Sequence, residues 1–136
     1  MTRLFLLLLL ILSGNAIYAQ ETQSPKRDLA QRVQHTAQAL RLDDIQTTKL
    51  EDIYLRESAQ LEQISALKNS DPDKYTLKLQ AIRNGTAGSI RLLLRKNQMP
   101  LYRDLAAQWR MHEHQLRQQM KGSSELEIQE ALIGNN

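Results

Sequence analysis

The side chains that could do chemistry in this sequence are few, and their spacing limits what they can do. Three histidines, His35, His112 and His114, are the candidate metal ligands beside the carboxylates, because the chain contains no cysteine. His112 and His114 lie two residues apart, which on a helix turns them about 200° away from each other. They cannot chelate one ion within a subunit, and His35 lies on a different segment. A metal site would need a dimer or a folded-back tail to complete its ligands. No metal and no cofactor are expected. The adjacent acids Asp43, Asp44 and Glu51, Asp52 read as helix caps and surface charge. Without a Ser/His/Asp spacing, a glycine-rich phosphate loop or a thiol nucleophile, the sequence points away from an enzyme. The missing cysteines also exclude disulfides and thiolate metal centres.

Charge carries the stronger chemical signal. Residues 20–73 hold seven Lys/Arg against ten Asp/Glu, residues 74–121 hold ten against two, and residues 122–136 hold three acids and no base. Within the basic stretch Lys96, Arg103, Arg110 and Arg117 recur every seven residues, and Lys121 falls close to the same line. On an α-helix that spacing makes one continuous basic stripe. Arg83, Arg91 and Arg95 add charge on the preceding segment, and Asp104 and Glu113 are the only interleaved acids. The bland reading is a solvated face that keeps the protein dispersed. Ordinary solvated helices mix signs, however, so a client- or partner-binding surface is the competing expectation. Its partners would be acidic unfolded clients, anionic envelope surfaces, or the chain's own acidic second helix in a dimer. Nucleic acid is not an expected partner.

Exclusion of nucleic acid rests on the N-terminus. Arg3 precedes an unbroken apolar run from Leu4 to Leu12, then Ser13, Gly14 and Asn15 break it, and Ala16 to Ala19 offer a small-residue cleavage site. That order is the one secretory signal peptides use. Nine apolar residues span roughly 14 Å as a helix, against about 30 Å of hydrocarbon, so the run is not expected to span a membrane. With no cysteine to lipidate, residues 1–19 predict a cleaved signal and a free periplasmic protein.

The elements that must carry the charge are helical throughout. Gln, Leu, Ala, Lys, Arg and Glu dominate, and glycine and proline are rare. Ser24 and Pro25 suit a helix start, and Leu29, Val33, Ala37 and Leu40 recur at helical spacing. Asp43 followed by Gln46 reads as a capping box that opens a second helix, running to about Lys68. Asn69 to Pro72 marks a turn, with Pro72 in the first position of a third helix over roughly 72–94. Gly85 and Gly88 fall inside it, allowing a bend, close approach of a neighbour, or mere local weakness. After a break at Lys96 to Pro100 a fourth helix runs to about Lys121, its apolar side carrying Leu101, Leu105, Trp109, Leu116 and Met120. The fold class is therefore all-α: four main helices over residues 20–121, arranged as bent antiparallel hairpins. Residues 122–136 form a flexible or short-helical tail, too short to be stable alone.

Two of the breaks share a pattern. Leu42 to Gln46 and Leu94 to Gln98 are both Leu-x-x-x-Gln, and each opens an amphipathic helix. A leucine ending one helix and a glutamine in the first turn of the next fix the angle between them. On these residues the sequence resembles the Spy/CpxP group of small periplasmic proteins, defined by two LTxxQ motifs. The likeness covers nearly all of the chain after residue 19. It departs where threonine is expected, with Asp43 in the first copy and Arg95 in the second, and in Pro100 two residues past the second glutamine. The resemblance implies a thin, cradle-like antiparallel homodimer. It also implies an ATP-independent chaperone, or a repressor of an envelope-stress sensor, with some relatives binding metal ions or regulating sigma factors. The expected function is thus a periplasmic stress protein that holds unfolded or misfolded clients. The alternatives are a sensor or repressor docking on a membrane-anchored regulator, and a plain helical interaction module.

Overall fold

The computed structural model describes the backbone of residues 25–134 and the side chains of residues 28–133. Residues 1–24, where the expected signal peptide falls, and residues 135–136 lie outside the described residues. Among the described residues six α-helices follow one another: α1 (Pro25–Leu40), α2 (Asp44–Ile64), α3 (Leu67–Ser70), α4 (Pro72–Leu93), α5 (Met99–Gln119) and α6 (Glu125–Gly134), with a 3₁₀ turn at Lys96–Gln98. No strand occurs among the described residues, so the fold is all-α as the composition predicts.

Local chemistry sets each boundary. Arg41 ends α1 in the left-handed region at φ 50°. Its N–H bonds to the Gln38 carbonyl at 3.2 Å, and the Leu42 N–H reaches back to Ala37 at 2.9 Å. This is a Schellman stop made without glycine, and Leu42, the first motif leucine, packs with Ala37 against the same apolar cluster. The capping box at the start of α2 is present: Asp43 Oδ1 accepts from the Gln46 N–H at 2.8 Å, and Gln46 Oε1 accepts from the Asp43 N–H at 3.2 Å. Asp71 caps α4 through the Lys74 N–H at 3.1 Å, with Pro72 in the first turn.

Two short helices correct the expectation of four. The second helix does not run to Lys68. It stops at Ile64, where the Ser65 N–H bonds to Glu62 and the Lys68 N–H to Ser65, both three residues back. That tightening turns the chain into the single turn of α3. The segment after Gly122 is helical from Glu125 and packs on the body, so it gains from tertiary burial what ten residues cannot hold alone.

Three apolar clusters hold the helices. The first joins Leu40, Leu50, Tyr54, Ile90 and Leu105, with Leu42, Leu94 and Trp109 at its margin. The second gathers Ile64, Tyr75 and Leu79 with Leu126 and Ile133 of α6, and the third sets Leu116 against Ile128 and Leu132. Cross-links give the directions. Thr36 shares a hydrogen bond with Tyr54 at 2.8 Å and Arg32 meets Glu57 at 2.7 Å, so α1 and α2 run oppositely. Tyr102 donates to the Ala87 carbonyl at 3.1 Å and Arg83 to Glu113 at 3.0 Å, so α4 and α5 do too. No described helix is long and apolar enough to cross a membrane.

Candidate functional site

The two Leu-x-x-x-Gln motifs meet. Gln46 Nε2 donates to Gln98 Oε1 at 2.8 Å, and Gln98 Nε2 donates back to Gln46 Oε1 at 3.1 Å. Each amide oxygen also caps its own turn, Gln46 accepting from the Asp43 N–H and Gln98 from the Arg95 N–H at 2.9 Å. Each amide nitrogen closes the other elbow: Gln46 donates to the Leu93 carbonyl at 3.0 Å, and Gln98 to Arg41 at 2.9 Å and Leu40 at 3.2 Å. Those carbonyls end α1 and α4, where no intrahelical donor remains. Both glutamines are only 5% exposed, and the crossing satisfies them without water. Asp43 and Arg95, each the residue after the motif leucine, pair across the same junction. The Gln46 N–H holds the Asp43 carboxyl below its ordinary range, and with help from Arg95 outweighs the opposing effect of burial.

The eight expected basic residues divide into two groups. Arg95 is held by Asp43. Arg83 and Arg117 enter a closed ring of five side chains spanning α4, α5 and α6. Arg83 donates to Glu113 at 3.0 Å and to Gln129 at 2.7 Å. Arg117 donates to Glu113 at 2.9 Å and to Glu125 at 2.8 and 3.0 Å, and Gln129 closes the ring on Glu125 at 2.6 Å. Arg117 and Gln129 pull the Glu125 carboxyl down to about 2. Burial works to raise Glu113, but bonds from Arg83 and Arg117 outweigh it and hold it below the usual carboxylate range. The other five, Arg91, Lys96, Arg103, Arg110 and Lys121, are exposed, and their side chains have no ion-pair or hydrogen-bond partner among the described residues. The stripe is therefore continuous on α5 only as far as Arg110.

Apolar groups are exposed on the same helices. Leu77, Ala81, Gly85, Gly88 and Leu92 share the outward face of α4, where Leu92 is 88% exposed. A Cβ added at Gly85 or Gly88 would meet nothing within 4 Å, so neither glycine serves a close approach within the chain. Met111 is exposed on α5 beside Arg110.

On the inner side a cavity of about 710 Å³ opens between α1, α2, α4, α5 and α6. Tyr54, Ile90, Leu105, Trp109 and Leu132 form its apolar wall, and Arg32, His35, Glu57, Gln108 and His112 its polar one. The Arg32 guanidinium lies 4.2 Å above the Tyr54 ring and binds Glu57 at 2.7 Å. Burial pushes the Tyr54 hydroxyl up, offset in part by its bond to Thr36. Tyr102 meets Trp109 edge-on at 6.2 Å. His35 and His112 both line this cavity while His114 is exposed elsewhere on α5. Among the described residues no three His, Asp or Glu side chains are grouped so as to hold a metal ion.

Sequence reasoning did not anticipate Glu57, Arg32 or Gln129 as paired residues. Their partners lie 25 to 46 positions away, and only the unusual burial of polar residues on helix faces, invisible in a sequence, would have marked them. No family model, no curated protein and no solved structure matches the chain.

Proposed function

We propose that this is an exported, nucleotide-independent client-binding protein of chaperone-like character, working in the periplasm and related to the Spy/CpxP group. The supporting observation is the outer surface of α4 and α5, where exposed Leu77, Leu92 and Met111 accompany the partnerless cations Arg91, Lys96, Arg103 and Arg110. Cations attract acidic unfolded segments at long range, and single leucines then make short, non-directional contacts that leave a client free to fold. Such a surface suits weak, unselective capture. Export rests on the pattern of residues 1–19, and the family relation rests on the paired motifs. A homodimer belongs to the same proposal, because the outward face of α4 offers an apolar strip that a second copy could cover.

The test is whether the chain from residue 20 onward slows aggregation of an unrelated unfolded protein at near-equimolar ratio without ATP. No slowing at any salt concentration would sink the reading. A pull-down from envelope extracts that returned a single stoichiometric membrane protein would instead favour the sensor or repressor.

A further inference from the structure

We propose that the seat of α6 is a binding groove for acidic amphipathic helices of partner proteins, and that α6 is its tethered competitor. The proposal rests on the client-binding reading above for the identity of the partner as another protein. The groove is built by the body of the molecule. Arg83, Arg117 and Lys68 supply its cations, and Leu79 and Leu116 lie in the apolar clusters on which α6 rests.

What occupies it defines the partner. Glu125, Ile128, Gln129 and Leu132 fall at i, i+3, i+4 and i+7, one face of a helix. Ile128 and Leu132 fill the apolar floor, Glu125 pairs with Arg117, and Glu130 pairs with Lys68 at 2.6 Å. Gln129, at 1% exposure, is the most buried polar side chain among the described residues, and it bonds to Arg83 and to Glu125. A polar group at the centre of a contact, held by charges on both sides, fixes register as docking interfaces do. The fitting ligand is therefore a short helix with an acid at i, an amide or acid at i+4, and aliphatic residues at i+3 and i+7.

Three features make α6 displaceable. Ten residues do not hold a helix in water unaided. The link through exposed Lys121 to Ser124 turns at Gly122 with φ 100°, a conformation that favours glycine. Part of the contact is ionic, through the half-exposed pairs Glu125–Arg117 and Glu130–Lys68, and that part weakens with salt. Leu132 and Ile133 also line the inner cavity, so release of α6 removes part of that wall.

The test uses a fluorescein-labelled peptide with the sequence of residues 123–134, titrated by anisotropy against the chain of residues 20–136. Wild type should bind it weakly. Glu125→Lys and Leu132→Ala alter only the tethered competitor, so each should bind the peptide at least about tenfold tighter, because apparent affinity scales with the fraction of open groove. Arg83→Gln with Arg117→Gln should abolish the gain, and a scrambled peptide should not bind. Glu125→Lys changes a half-exposed side chain outside the apolar clusters and keeps the test valid if Leu132→Ala fails to fold. Unchanged peptide affinity in a variant of normal helicity overturns the proposal, as does equal binding of the scrambled peptide. The aggregation assay stays separate: peptide capture without suppression would leave the groove standing and remove the chaperone reading.

Discussion

Replacing Gln98 by alanine probes the junction most sharply. The side chain makes five contacts there: its Nε2 donates to Leu40, Arg41 and Gln46, and its Oε1 accepts from the Arg95 N–H and Gln46. Gln46 keeps its bonds to Asp43 and Leu93 when Gln98 is lost, so it remains partly satisfied. The carbonyls of Leu40 and Arg41 and the Arg95 N–H do not. A net hydrogen bond contributes about 0.5–1.5 kcal/mol, and a buried group left without a partner costs about 1–3 kcal/mol. Some of those groups can reach water once the side chain is gone, so the whole change should cost about 2–4 kcal/mol. Gln46→Ala should cost a similar amount. Because the two amides bond to each other, the double variant should be less destabilised than the sum by about 1 kcal/mol or more. Urea unfolding of the wild type, both single variants and the double variant, with unchanged m-values, supplies the cycle. Additivity to within about 0.5 kcal/mol would refute the crossing, since independent sites behave that way.

Three further outcomes follow from the described geometry. Arg41→Gly should stabilise the chain by about 0.5–1 kcal/mol, because relief of a left-handed residue exceeds the added flexibility of the unfolded chain; a lower melting temperature would mean the Arg41 side chain has a role of its own. Changing Lys96, Arg103 and Arg110 together to Gln should weaken client capture at low salt without loss of helicity, whereas Arg117→Gln should instead loosen α6; undiminished capture by the triple variant would make the free cations no more than a solvated surface. The Glu125 carboxyl is depressed to about 2 in the folded chain from 4.5, so its contribution is present above about pH 4.5 and lost as pH falls toward 2. Glu113 shifts in the same direction and acts in the same sense. Trp109 lies on the cavity wall with Leu132, so its emission should shift over that acid range before the far-UV signal collapses; coincident transitions would show α6 to be inseparable from the core.

The long helices were legible because each signal is local. Leu29 to Leu40 is a periodic face, Asp43 and Gln46 are three residues apart, and Pro72 follows a capping acid. The motif glutamines were read as caps of their own helices, which describes the work of their oxygens. The nitrogens reach carbonyls 47 to 58 positions away, and no local pattern carries that distance. Arg95 pairs with Asp43, the residue at the same position of the other motif, and nothing local to either motif signals that contact. The stripe ending in Arg117 was drawn correctly as a helical line, but line geometry says nothing of acids folding back upon it. The stop at Ile64 was missed because Ser65 and Ala66 are ordinary helix residues. The tail was undervalued for the converse reason: its own propensity is weak, and the groove that holds it belongs to other helices.

The crossed glutamines also act as a mechanical linkage. An elbow with its own separate cap could open or close without regard to the other. Here each elbow is fastened by a side chain anchored in the opposite one, so the angle between α1 and α2 cannot change without straining the turn between α4 and α5. Two hinges are thereby reduced to one degree of freedom, pivoting on a single amide pair. A load applied to α1, such as a bound segment pressing into the inner cavity, is passed through Leu40 and Gln98 directly into the start of α5. The setting of α1 against α2 and of α4 against α5 is then fixed at one buried point.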